Sequence, residues 1–369
     1  MGEDYIPDLL FLELTKACDY KCLHCRASSI TEIAPDEMKG FEFKQLLESI
    51  PTSMDRVPHL IFTGGNPLMH PDFSGIMQKA SELKMSFSVS PSAGDFLTVD
   101  QIFLMEELGL SSISLSIDGI PSTHDYIRNR KGSFKKTVEL ASMLKSEGVN
   151  TQVNTTIMKR NILDLPFLYH TIREMDIQVW ELFFLIKTGR GVSEEPVSSA
   201  EMEDILKYLY MLKIAGCKIR TVEAPEISRI EVEAIRNGFI EGGPLLKELV
   251  KETRKLTGID LHGIDIPDHY NARRRTKTLF VSSTGEVSVS GLFNLSIGNV
   301  RERSLGEIIR TSQVLKDISD PRKLKGKCGT CEYNGICGGS RGRAYVEEGD
   351  FLESDPACIY PQEKVYSKI

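Results

Sequence analysis

A chain of 369 residues, 41% hydrophobic and 26% charged, has an ordinary globular composition and the length for about two or three domains. Its net charge of −7 excludes a nucleic-acid-binding surface as the main business, a short basic run such as "ARRRTK" (272–277) being more often a solvated face. No apolar run approaches the roughly 20 residues of a membrane span, and the acidic start "MGEDYIPD" is no signal peptide. Neither nucleic acid nor a membrane is therefore an expected partner, and the expected compartment is cytoplasmic, where thiols stay reduced.

The first half alternates strands and helices. Apolar or β-rich runs stand at 8–14 ("DLLFLEL"), 59–63, 85–89, 111–117, 150–157 and 179–186, with helix-like segments near 41–50, 72–84, 98–108, 133–147 and 163–175. Breakers bracket several of them: Pro71 and Asp72 precede one helix, and Gly109 and Gly148 follow others. Six strands alternating with helices predict an α/β fold, a parallel sheet covered by helices and closed, partly closed or open. In a barrel-like arrangement the chemistry sits at the C-terminal ends of the strands. Residues 187–270 read as a helical connection. In it "SSAEMEDILKYLYMLKIAG" (198–216) starts with the Ser198/Glu201 offset of a capping box, and helical material continues to about 257. The last hundred residues change character. "TLFVSSTGEVSVSG" (278–291) is a hairpin pattern turning at Thr284-Gly285, "SLGEIIRTSQVLKDI" (304–318) is a short helix, and a tail rich in glycine and cysteine follows.

The eight cysteines fall into two groups and a singleton. Cys18, Cys22 and Cys25 lie in "LTKACDYKCLHCRAS", directly after the first strand. Three thiolates on one loop can hold three irons of a [4Fe–4S] cube and leave the fourth iron to a non-protein ligand. The competing reading is a zinc site completed by His24 or a distant histidine, although His24 beside Cys25 could hardly turn to the same metal. The second group, Cys328, Cys331, Cys337 and Cys358, has the pattern Cys-x2-Cys-x5-Cys-x20-Cys and fits a fully ligated cube or a zinc ribbon equally well. Cys217 stands alone and reads as a small buried hydrophobe.

Cys-x3-Cys-x2-Cys after the first strand of an α/β barrel resembles the radical S-adenosylmethionine (SAM) superfamily, here as Cys18-Asp-Tyr-Lys-Cys22-Leu-His24-Cys25. The resemblance implies a partial (β/α)6 TIM-like barrel. It also implies a cluster whose open iron is chelated by the amino and carboxylate groups of SAM. Reductive cleavage then yields methionine and a 5′-deoxyadenosyl radical that abstracts hydrogen from substrate, making the protein a radical SAM oxidoreductase or lyase. His24 would lie near the adenine. "FTGGNPL" (62–68) stands where the family has Gly-Gly-Glu-Pro, so Gly64, Gly65 and Asn66 would meet the SAM amino group; Asn66 departs from the usual glutamate and carries no charge. In "SLSIDGIPSTHDYIRN" (114–129), Ser116 and Asp118 would face the ribose and Arg128 the methionyl carboxylate. Asn154 on the fifth strand and Leu185 after the sixth complete the implied SAM contacts.

Beside such a core the tail resembles a SPASM/twitch auxiliary-cluster extension. Ser290 and Ser340 stand at or near positions where the full pattern has cysteine, so the tail has ligands for one auxiliary [4Fe–4S] cluster. The implied organisation is a radical SAM barrel over 1–190, a helical connecting region over 191–270 and the auxiliary-cluster domain over 271–369. Across nearly the whole chain the motifs resemble a subgroup that modifies tetrapyrrole side chains in alternative haem and haem d1 biosynthesis. Loss of carbon dioxide from a propionate, or removal of an acetate or propionate side chain, is then the expected chemistry, with Arg190, Arg273, Arg274, Arg275, Arg341 and Arg343 as candidates for holding substrate carboxylates. An electron donor of flavodoxin or ferredoxin type is implied as a partner. Two rivals remain. One is a maturase acting on a peptide, disfavoured because only 17 residues precede Cys18, too few for a leader-recognition domain. The other is a non-catalytic iron–sulfur electron carrier, which would need none of the SAM-like motifs on the second and fourth strands.

Overall fold

The computed structural model describes residues 5–270, 276–293 and 295–360. In chain order its first half runs β1 (Leu9–Glu13), α1 (Gly40–Ser53), β2 (His59–Thr63), α2 (Phe73–Glu82), β3 (Phe87–Val89), α3 (Val99–Glu107), β4 (Leu110–Ser116), α4 (Pro121–Arg128), α5 (Ser133–Ser146), β5 (Thr151–Ile157), α6 (Leu165–Glu174) and β6 (Val179–Phe184). The six expected strands and the helices between them are all present. α4, which the sequence presented only as a motif, adds a short helix after β4. The connecting region supplies α7 (Ser199–Ile214), β7 (Ile219–Val222), α8 (Ile227–Asn237) and α9 (Pro244–Thr257). The tail supplies β8 (Thr278–Val281), β9 (Glu286–Ser288), β10 (Gly298–Asn299), α10 (Leu305–Thr311), α11 (Gln313–Ile318), α12 (Gly326–Thr330) and α13 (Arg341–Glu348).

One sheet in the order β10-β9-β8-β1-β2-β3-β4-β5-β6-β7 carries all ten of these strands. β1 to β7 are parallel in sequence order, β8 joins the free edge of β1 in parallel, and β9 and β10 continue antiparallel. One expectation changes here. The connection over 191–270 is not wholly helical, because β7 extends the barrel beyond β6. The first strand of the tail hairpin continues the barrel past β1. The single helix expected over 304–318 is two: Ser312 leaves the helical conformation and its hydroxyl accepts from the Leu315 N–H, capping the second.

Side chains alternate between the two faces, as strand geometry requires. Leu10, Leu12, Leu60, Phe62, Phe87 and Val89 are buried against α1, α2 and α3 in one apolar cluster. Val153, Ile157, Trp180, Leu182, Phe184 and Ile219 are buried against α6, α7 and α9 in another. The opposite face carries Phe11, His59, Ile61, Gln152, Asn154, Glu181 and Phe183, which are only partly covered. His59 on β2 and Arg220 on β7 are close enough for the guanidinium to depress the imidazole pKa. Five strand spacings of a flat sheet would hold them roughly 24 Å apart. The sheet therefore curls, and this face is the concave lining of a partial barrel.

The capping box at Ser198 is present: the Ser198 hydroxyl accepts from the Glu201 N–H at 3.3 Å, and the Glu201 carboxylate accepts from the Ser198 N–H at 2.9 Å. Ser198→Ala is expected to lower stability by about 1 kcal/mol, read as a shifted denaturation midpoint at unchanged m-value. Among the described residues no helix is long and apolar enough to cross a membrane.

Candidate active site

β1 ends under the cysteine loop, and the loop is tied down from below. The buried Glu37 carboxylate accepts from the Thr15 hydroxyl and the Lys16 N–H, both at 2.7 Å. Cys18 N–H donates to Ile30 O at 2.8 Å, closing the loop on itself. Within it Cys18, Tyr20, Cys22 and Cys25 pack together, and all three thiols are free. Burial pushes the Cys18 thiol up to about 12 and the Cys22 thiol upward too, so the anionic form asks for compensating donors. Some are in place: Tyr20 N–H to Cys18 Sγ at 3.4 Å, Ser29 N–H to Cys25 Sγ at 3.5 Å, and Arg128 Nη1 to Cys22 Sγ at 3.7 Å.

The second strand end supports the loop from the side. Gly65 N–H donates to Thr15 O and Asn66 N–H to Ala17 O, both at 2.7 Å. A Cβ on Gly64 would lie 2.5 Å from Thr15 O, and one on Gly65 would lie 2.3 Å from Ala17 O. The space that the missing side chains of Gly64 and Gly65 leave is taken by backbone of the cysteine loop. Asn66 is fully buried, and its amide donates to the Asp19 carboxylate at 3.0 Å. Asp19 also accepts from Ser92 Oγ at 2.6 Å and from Asp95 N–H at 3.2 Å. The uncharged amide thus holds a carboxylate next to Cys18, where a glutamate would oppose it charge to charge.

The fourth strand end brings His24, Asp118 and Arg128 together. Asp118 is fully buried, accepts from the Thr156 N–H at 2.8 Å, and has Arg128 Nη2 at 2.6 Å from Oδ2. That approach is off the hydrogen-bond direction, so Oδ2 and Arg128 Nε both lack an aligned partner. Burial alone would raise the Asp118 pKa, but the Arg128 charge overrides it and holds the carboxyl below its usual range. His24 Nε2 lies 3.9 Å from Asp118, and burial holds its pKa down at about 4, so the ring is neutral. His24 Nδ1 and Thr188 Oγ1 are also buried without partners. Unsatisfied polar atoms are costly to bury. Gathered beside three free thiols, they make a site whose polar groups await a polar ligand, and the residues fit a cluster with SAM.

The remaining expected contacts are placed as follows. Ser116 ends β4 opposite Asn154, whose side chain accepts from Gln152 Nε2 at 2.7 Å. Leu185 is buried with Ile127 and Met158. Sequence reasoning missed Arg190 as a support of the loop. Its Nε donates to Cys22 O at 2.9 Å, Nη1 to Ser29 O at 2.8 Å and Nη2 to Ser29 Oγ at 2.9 Å. Its own N–H donates to Cys25 O at 2.9 Å. Arg190 is therefore committed to the cysteine loop and is not free to hold a substrate carboxylate. The signal was the "KTGR" directly after the sixth strand: Gly189, at φ +53°, lets the turn pass within contact of Cys25 and Arg26 backbone.

In the tail, Cys328 Sγ accepts from Asp355 N–H at 3.4 Å and Arg341 Nη2 at 3.7 Å, Cys331 Sγ from Tyr333 N–H at 3.4 Å, and Cys337 Sγ from Gly339 N–H at 3.4 Å. Burial raises the pKa of both Cys331 and Cys358, an effect the Arg229 charge on α8 partly offsets. Four thiols, three of them with N–H donors, and a neighbouring cation again fit an iron–sulfur cluster. Among the described residues no three His, Cys, Asp or Glu side chains converge as ligands of one metal ion. Arg341 is spent on Phe351 O and Glu353 O, and Arg343 on Asp355 and Glu223 O, so neither is free for substrate. Arg273, Arg274 and Arg275 lie outside the described residues. Ser340 caps α13 and Ser290 Oγ accepts from the Leu292 N–H at 3.3 Å, so both serine hydroxyls have local tasks. Cys217 packs against the second apolar cluster, and burial raises its thiol to about 11.

A family model described as the Radical SAM superfamily matches residues 12–169. The chain is 32% identical to the AdoMet-dependent heme synthase of Methanosarcina barkeri (strain Fusaro / DSM 804), over 96% of this chain and 97% of that one. It is 30% identical to the AdoMet-dependent heme synthase of Nitratidesulfovibrio vulgaris (Hildenborough), over 95% of this chain and 92% of that one. Among solved structures it matches SuiB of Streptococcus suis bound to precursor peptide SuiA with a TM-score of 0.70 at 15% identity, over 96% of this chain and 76% of that one. At that identity the likeness carries the fold and nothing of the peptide.

Proposed function

Because the chain belongs to the radical SAM superfamily, we propose that it decarboxylates propionate side chains of an iron tetrapyrrole to vinyl groups in haem formation. The observation that carries this reading is the 30–32% identity to AdoMet-dependent heme synthases along nearly the full length of both chains. The protein is an enzyme of radical chemistry, and its family's cofactors are a [4Fe–4S] cluster and SAM. When bound, they supply a 5′-deoxyadenosyl radical that takes a hydrogen atom from a propionate β-carbon, so that carbon dioxide leaves, one electron passes to an acceptor and a vinyl group remains.

The chain's own residues would hold, orient and insulate. Cys18, Cys22 and Cys25 would ligate the cluster, with Arg190 and Glu37 fixing the loop that carries them. Gly64, Gly65 and Asn66 would set the loop's height against β2, and Asp118 would keep Arg128 aimed at the thiols and at the carboxylate of SAM. Neutral His24, buried above Asp118, offers a flat face for adenine without a competing charge. Ser116, Asn154 and Leu185 would line the ribose and adenine side. Cys328, Cys331, Cys337 and Cys358 would hold one auxiliary [4Fe–4S] cluster as electron acceptor, and a flavodoxin- or ferredoxin-type donor would reduce the first. In this reading 1–190 carries the SAM site, 191–270 connects and adds β7 to the barrel, and 271–369 adds β8 and holds the auxiliary cluster.

The test is anaerobic reconstitution followed by incubation with SAM, a reductant and iron-coproporphyrin III. About eight irons per chain are expected on the two-cube reading. 5′-Deoxyadenosine should form together with a porphyrin lighter by carbon dioxide and two hydrogens for each side chain converted. Formation of 5′-deoxyadenosine with an unchanged porphyrin mass would sink the haem reading.

A further inference from the structure

Among the described residues the concave face carries a guanidinium, that of Arg220, with no ion pair. Ile219 is buried on the helix-covered side of β7, so Arg220, next to it, stands on the concave side and is exposed there. It pairs in register with Glu181, which pairs with Asn154, which pairs with Ser116. A row of side chains thus leads from the SAM end of β4 across the sheet to Arg220. Among the described residues Arg220 makes no ion pair, unlike Arg190, Arg341 and Arg343, which are committed to oxygens of their own chain.

Its neighbours keep it that way. Glu181 accepts from Gln152 Nε2 at 2.9 Å, and burial raises its pKa against the lowering charge of Arg220. Across the lumen both ring nitrogens of His59 are engaged, Nδ1 with Ser86 Oγ at 2.9 Å and Nε2 with Ser88 Oγ at 2.8 Å. Burial and the Arg220 charge lower its pKa, so the ring adds no second cation. An exposed, forked cation on the concave face with no ion pair among the described residues is open to a carboxylate.

We propose that Arg220, walled by His59, Gln152 and Glu181, is a subsite in the barrel lumen that binds a substrate carboxylate other than the one being lost. The inference rests on the tetrapyrrole reading and deepens it: a tetrapyrrole with several propionates would anchor one on Arg220 while another is presented at the cysteine loop.

The experiment is a Soret titration of the reconstituted protein with iron-coproporphyrin III and, separately, with its tetramethyl ester. Arg220→Ala should weaken binding of the acid by about tenfold or more, the loss of a charge-assisted pair, and Arg220→Lys should restore part of it. The ester should bind the wild type and both variants alike. Equal affinity of wild type and Arg220→Ala for the acid overturns the subsite and leaves the haem reading standing. Equal weakening of acid and ester by Arg220→Ala also overturns it, since a merely structural role would do that. Failure of the wild type to bind the acid overturns the haem reading, and the subsite with it.

Discussion

Gly65→Ala is expected to cut SAM cleavage by about a hundredfold or more, the penalty for shifting reacting groups by an ångström. The added methyl carbon would stand 2.3 Å from Ala17 O and 2.5 Å from Lys16 O. Both are backbone atoms, so no side chain can swing away to make room. The loop must move, and it moves at the residue before Cys18. Overpacking of this kind costs about 1–3 kcal/mol of stability, small enough to leave a folded protein on which the loss can be measured. Iron content, 5′-deoxyadenosine formation and the thermal midpoint together check it. An alanine variant that keeps wild-type iron and turnover would show that the loop tolerates displacement and that the glycine pair is a simple turn.

Arg190→Ala should remove the first cluster selectively. Three loop oxygens now accept from one guanidinium whose geometry matches them, and each charge-assisted bond contributes about 1.5–3 kcal/mol. Without them the loop between Cys22 and Ser29 is held at one edge only. Iron should fall from about eight to about four per chain, the remainder in the tail. Arg190→Lys keeps the charge but not the fork, and should resemble alanine more than wild type. If Arg190 instead held substrate, both variants would keep their iron and lose only tetrapyrrole affinity.

Much of this was legible because it rests on local pattern. The six barrel strands announce themselves through apolar runs, and the cysteine spacing names its own chemistry. β7 hid because it has four residues, with Arg220 among them and helices on both sides. Its polar member faces a lumen, which a reader of periodicity takes for solvent. The union of β8 with β1 was invisible because parallel neighbours leave no mark on each other's sequence. Arginine roles were misassigned for a related reason. Arg190, Arg341 and Arg343 bind backbone carbonyls, and a carbonyl has no letter in the sequence. Asn66 was read as a weakened glutamate until Asp19 appeared beside it; only the fold joins the two.

The pairing of Leu9–Leu12 with Thr278–Val281 has a consequence for how the molecule is made. β1 leaves the ribosome early, whereas its outer neighbour is translated last but for the tail. At ribosomal rates of about 5–20 residues per second, β1 waits roughly 15–50 s with one edge unpaired. That edge belongs to "LLFLE", an apolar strand of the kind that recruits other chains. A chain ending before β8 would keep this edge open permanently. Nascent and truncated forms should therefore depend on chaperones and low concentration far more than the finished enzyme does, and cluster loading is best placed after release, when β8 has closed over the strand that bears the cysteine loop.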